Sequence, residues 1–180
     1  MEILSHALWT NLIFKELPAE QKYTTVLFSI LPDMISFSTV VSQHYIKRFK
    51  EHKDVQFTTK KLYNKVKNHK GVPQEEIPPY VFLLYDITHS IFIWGGIFVI
   101  LKFFGLNWWA TVMYGWLLHI VFDIFTHTAD FLTHKKKSVF STYVFWPFSR
   151  FHFPGIKWSN VWFLIINYAI LAILYFIYYF

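Results

Sequence analysis

Apolar residues along this chain gather into five runs, and the polar positions between them are just as uneven. The first run, residues 2–14, is too short to span a bilayer, since a spanning helix needs about 20 apolar residues. It predicts a half-buried or re-entrant helix ended by Leu17-Pro18. Residues 23–43 predict a second helix, interrupted at Leu31-Pro32-Asp33. A third, 79–104, opens on Pro78-Pro79, because proline is tolerated at the first position of a helix. Gly105 to Asn107 make a turn, and a fourth helix follows over 108–130. The fifth, 160–180, is apolar throughout and carries no charge. The pattern predicts an all-α fold: a polytopic transmembrane helical bundle of about four spans plus a short N-terminal helix, in a single membrane domain covering residues 1–180.

Charge agrees with that pattern. Only 16% of the 180 residues are charged, against about a quarter in a soluble domain. The formal charge of +6 is concentrated in two polar stretches, about 44–78 and about 131–159, which hold 14 of the 17 basic residues. Nine of them, from Lys47 to Lys70, lie in the first loop; Lys135, Lys136, Lys137, Arg150 and Lys157 lie in the second. Two expected spans separate the loops, so both fall on one face, and the positive-inside rule makes that face cytoplasmic. Basic residues beside apolar spans suit anionic lipid rather than nucleic acid. The start of the chain lacks the basic region of a cleavable signal peptide, its first Lys being Lys15. There is no cysteine, so a metal would have to be held by His, Asp or Glu.

Ionisable residues inside spans are expensive and default to a functional reading. The fourth helix reads His119-Ile-Val-Phe-Asp123-Ile-Phe-Thr-His127. A spacing of four keeps all three on one helix face, where imidazole and carboxylate can converge on a divalent cation. The third helix offers Asp86 and His89 three residues apart, with Thr88 and Ser90 to orient them. The second helix supplies Asp33 directly after Pro32, and a carboxylate at a proline kink is a recurrent way of building a site within a membrane. His6 is the candidate from the first run. The bland alternatives are a His–Asp hydrogen-bond network that fastens helices together, an Asp33 that only caps the second half of a broken helix, and a proton relay. His44, His52, His69, His134 and His152 fall in the loops and read as solvated.

These residues, in this order, resemble a known family. His6 near the start, Leu31-Pro32-Asp33, Thr88-His89-Ser90, His119-xxx-Asp123 followed by Thr126, and Phe145-Trp146-Pro147 are similar to the ordered motifs of the YdjM-like inner-membrane proteins, usually labelled membrane-bound metal-dependent hydrolases. That family is in turn similar to zinc-dependent phospholipase C enzymes. The chain departs from it at Leu84-Tyr85-Asp86, where many members have His-Arg-Gly, and at Ile35, where they have Asp. The resemblance implies a metal-dependent hydrolase of a prokaryotic inner or cell membrane that acts on a lipid or phosphoester. Zinc is the expected metal because imidazole is prominent among the candidate ligands His6, Asp33, Asp86, His89, His119, Asp123 and His127. Asp86 or Asp123 is the expected general base. The rival reading is a small ion- or proton-coupled transporter using the same residues as an ion path. A scaffold, in which they only join helices, is the third.

Overall fold

The computed structural model describes residues 1–51, 77–127 and 141–179, with the backbone alone for 39–51. Six helices make up the described chain: α1 (Ile3–Ile13), α2 (Ala19–Glu51), α3 (Pro79–Thr88), α4 (Ile91–Phe103), α5 (Asn107–Thr126) and α6 (Val161–Tyr179). No β-strand occurs among the described residues. Residues 44–51 of the expected first basic loop instead continue α2 past its expected end at 43, while 52–76 lie outside the described residues, as does the 131–140 part of the second loop.

Local chemistry sets the helix ends. Glu2 caps α1 by accepting the Ser5 backbone N–H at 3.1 Å, which satisfies one of the donors that a helix start leaves open. Pro32 lies inside α2 and has no N–H to donate to the preceding turn. The Ser36 hydroxyl donates to the Pro32 carbonyl at 2.8 Å, so the hydroxyl groups of this stretch stitch the helix to itself.

The expected third helix, 79–104, is two helices. α3 ends at Thr88, His89 takes a non-helical conformation, and Ser90 starts α4 by accepting from the Phe92 and Ile93 backbone N–H groups. The pair is bent by 53° at this break. The Ile91 backbone N–H, released by the break, donates to the Val144 carbonyl at 2.9 Å. Serine at a helix start outcompetes a continuous helix here because its side chain replaces the lost backbone partner. The fourth helix also stops earlier than residue 130, at Thr126, with His127 as its cap.

Among the described residues two helices, α5 and α6, are long and apolar enough to cross a membrane, and the bent α3–α4 pair makes a third if it counts as one span. The expectation of about four spans is therefore reduced to two or three. The difference is α2, the second expected span. It carries Glu20, Lys22 and Asp33 together with Thr24, Thr25, Ser29, Ser36 and Ser38, so hydroxyls and charges dilute its apolar character.

The long α2 packs against α1, α3 and α5, while α1 also touches α5 and α6. The α2–α5 approach is close enough to need a glycine. A Cβ on Gly115 would lie 2.0 Å from the Thr25 carbonyl oxygen. That contact brings Pro32-Asp33 of one helix alongside His119 and Asp123 of the other.

Candidate metal centre

Three parts of the chain converge on one buried point. Asp33 of α2, His89 at the α3–α4 break, and His119 and Asp123 of α5 each offer one ligand atom, all within 4.8 Å of one another. All four residues are buried, and His89, His119 and Asp123 are wholly inaccessible. His119 and Asp123 meet there because they are one turn apart on α5. His89 arrives at the break between α3 and α4, whereas Asp33 comes from within α2, which runs unbroken from Ala19 to Glu51 through Pro32 and is not interrupted at Leu31-Pro32-Asp33 as expected.

The hydrogen bonds fix which imidazole nitrogens face this point. His119 Nδ1 lies 2.6 Å from the Ser29 carbonyl, and His89 Nδ1 lies 2.8 Å from the Tyr85 carbonyl. A carbonyl only accepts, so both Nδ1 atoms carry the proton and both neutral rings turn an Nε2 lone pair inward. The two Nε2 atoms are 3.0 Å apart. Asp123 Oδ2 stands 3.2 Å from that of His89 and 3.3 Å from that of His119. Asp33 Oδ1 lies 3.9 and 3.8 Å from them and accepts no hydrogen bond from a described residue.

The result is a set of four buried acceptors with no donor among them. Lone pairs held this close repel unless something positive sits between them. Donors about 2.0–2.2 Å from a tetrahedral zinc stand about 3.3–3.5 Å from one another, and three of the four meet that spacing within a few tenths of an ångström. The residues present fit a divalent cation with an N2O2 donor set.

Other expected ligands stand beside this group. His6 is fully buried, its Nε2 3.0 Å from Asp123 Oδ1 and its ring stacked on His119 at 3.9 Å. His127 Nδ1 is 3.0 Å from Asp123 Oδ2. Asp123 is thus the hub, touching all four of the candidate histidines. The Met1 nitrogen also contacts Asp123 Oδ1 and lies 2.7 Å from Thr126 Oγ1.

Asp86 does not join the group, either as a ligand or as a carboxylate near it. It is only half-buried, and its electrostatic neighbour is Arg150. The physical reason is angular. At 100° per residue, the position four before His89 lines up with it better than the position three before, and that place belongs to Tyr85. Tyr85 is 1% exposed, stacks on the His89 ring at 3.8 Å and reaches His127 Nδ1 at 2.7 Å with its hydroxyl. Sequence reasoning passed over it, although the same four-residue spacing that picks out His119, Asp123 and His127 also links Tyr85 to His89. His152, expected in a solvated loop, is half-buried with its ring against Tyr143.

The last part of the second polar stretch packs against the end of α5 beside this centre. The Ile156 and Trp158 backbone N–H groups donate to the Phe125 and Thr126 carbonyls at 2.8 and 2.9 Å. Gly155 allows the approach, since a Cβ there would lie 2.1 Å from the Phe125 carbonyl oxygen.

Neither family models, nor curated proteins, nor solved structures give a match to this chain.

Proposed function

We propose that this chain is an integral-membrane, metal-dependent hydrolase that acts on a lipid or lipid-linked phosphoester. Asp33, His89, His119 and Asp123 would hold its metal, with zinc favoured by the two imidazoles. The observation that carries the reading is the convergence of four buried acceptor atoms, with both imidazoles fixed by backbone carbonyls so that their lone pairs point inward. When bound, such a metal supplies a Lewis acid that acidifies water and polarises an ester oxygen.

The chain's own residues have separable tasks. The Ser29 and Tyr85 carbonyls hold His119 and His89 in the ligating tautomer. Asp123 presents Oδ2 to the metal group and keeps Oδ1 toward His6; of the two carboxylates expected as general base, Asp86 and Asp123, it is the one that stands at this group. Exposed apolar residues flank the bundle, among them Met34 and Ile35 of α2, Val121 and Phe125 of α5, and Ile166, Ile173 and Phe176 of α6, which packs on α1. An amphiphile can enter sideways between such helices, which supports a lipid over a soluble peptide.

The test is a hydrolysis screen of the metal-loaded protein in nanodiscs against lipid esters, lipid phosphoesters and soluble esters, with Asp123→Asn as control. Turnover of a lipid substrate that depends on metal and is lost in the variant is the expected result. Equal background from both proteins on every substrate would overturn the hydrolase and favour the carrier. Activity on soluble esters alone would keep the enzyme and remove the lipid.

A further inference from the structure

Tyr85 touches two histidines by two different groups. Its backbone carbonyl accepts the His89 Nδ1–H, and its hydroxyl oxygen lies 2.7 Å from His127 Nδ1 and 3.0 Å from Thr142 Oγ1. The direction of these bonds can be worked out by following the protons. Thr142 Oγ1 is 3.2 Å from the Asp123 carbonyl, which only accepts, so the threonine proton goes there. Thr142 therefore accepts from Tyr85. The Tyr85 proton is then committed, and its oxygen accepts the His127 Nδ1–H. Asp123 Oδ2, also an acceptor, lies 3.0 Å from the same Nδ1 and agrees with that assignment. His127 is left with its lone pair on Nε2. The Met1 nitrogen, a donor, lies 3.5 Å from that Nε2 while contacting Asp123 Oδ1 and Thr126 Oγ1.

We propose that Tyr85 is a positioning residue: its hydroxyl, fixed by Thr142, holds His127 as the Nδ1–H tautomer, so that Nε2 is aimed as an acceptor at the Asp123–Thr126 edge of the metal centre. The Met1 nitrogen lies at that edge, and a substrate hydroxyl or ammonium group that took its place would donate to Nε2. Only this last step rests on the hydrolase reading; the tautomer does not. Asp86, the ionisable neighbour of Tyr85, has no part in the relay.

The experiment is nitrogen NMR of protein carrying 15N-labelled histidine in micelles, with the His127 signal assigned by its loss in His127→Gln. Wild type is expected to give a single Nδ1–H tautomer at His127. Tyr85→Phe keeps the ring on His89 but removes the hydroxyl, and is expected to give mixed tautomers. Thr142→Val removes the acceptor of the Tyr85 proton, which then turns to His127 Nδ1, and the signal is expected to move toward Nε2–H. A packing role for Tyr85 would move neither signal. Metal content of Tyr85→Phe should equal that of wild type, since the backbone carbonyl that orients His89 remains; that measurement also reports a misfolded variant. In a turnover assay the same variant should lose about 10- to 100-fold in kcat with little change in KM. Nε2–H at His127 in wild type, or an unchanged signal in both variants, would overturn the proposal, the second by showing that Asp123 alone holds the ring. Absence of metal with the expected tautomers would overturn the hydrolase reading and leave this one standing.

Discussion

At the level of single side chains, the centre differs from a hydrogen-bond network in one respect: its inner atoms are all acceptors. A network that merely fastened helices would put N–H groups opposite carboxylates. Here both imidazoles give their N–H to backbone carbonyls instead. Asp33→Asn should therefore weaken metal binding strongly while leaving the fold intact, because it replaces a charged acceptor with an amide half of whose capacity is donation. Isothermal titration of metal-stripped protein checks this, and equal affinity in the variant would remove Asp33 from the set. His119, Asp123 and His127 were legible in the sequence because helix geometry ties a spacing of four to one face. Tyr85 was not, since a neutral phenol is no anomaly in a chain with 11 tyrosines, whereas the charge on Asp86 draws attention to the wrong neighbour. The backbone acceptors Ser29 and Tyr85 were invisible because main-chain carbonyls carry no sequence signal.

Among the helices, α6 keeps close to its expected range but makes contacts that its sequence does not suggest. A run without charge reads as an inert anchor, yet its few polar atoms clasp α1. Asn167 accepts from Trp9 Nε1 at 2.9 Å and donates to Ser5 Oγ at 2.7 Å, Tyr168 donates to Glu2, and Tyr175 donates to the Leu8 carbonyl. This clasp ties α6 to α1, the helix that carries His6 and packs in turn on α2 and α5. Asn167→Leu should lower stability by about 1–2 kcal/mol, with two bonds lost and buried partners left behind; thermal unfolding in detergent measures it, and an unchanged midpoint would mean that packing alone holds α1. Gly115→Ala should cost about 1–3 kcal/mol and displace α2 from α5, because the added methyl meets backbone rather than a flexible side chain. Wild-type stability in that variant would contradict the close approach. The helix break at His89-Ser90 was only half legible. Thr88-His89-Ser90 pointed to function, but the capping that ends one helix and starts the next depends on Val144, far along the chain.

For the whole molecule, the number of crossings decides where the basic loops lie. If α3–α4 spans as a bent pair and α5 crosses back, the two loops share a face, and the positive-inside rule makes it cytoplasmic. If the pair is re-entrant, α5 alone separates the loops and they lie on opposite faces. Single cysteines introduced at positions 60 and 136, labelled from outside in intact cells, are expected to stay unreacted at both. Labelling at one alone would establish the re-entrant form. The all-helical class and the approximate helix positions were legible from hydrophobic runs, but the count of spans was not, since hydroxyls within α2 serve its contacts with neighbouring helices and lower its hydropathy at the same time. The claim on which the account turns is that this chain holds a metal through Asp33, His89, His119 and Asp123. Elemental analysis of detergent-purified protein tests it most directly, run on wild type, His119→Ala, Asp123→Asn and the loop control His134→Ala. Wild type and His134→Ala should carry a stoichiometric divalent metal, with zinc foremost, and the two centre variants should lose most of it while still inserting. A wild-type protein free of metal, or unchanged content in both centre variants, would contradict the account.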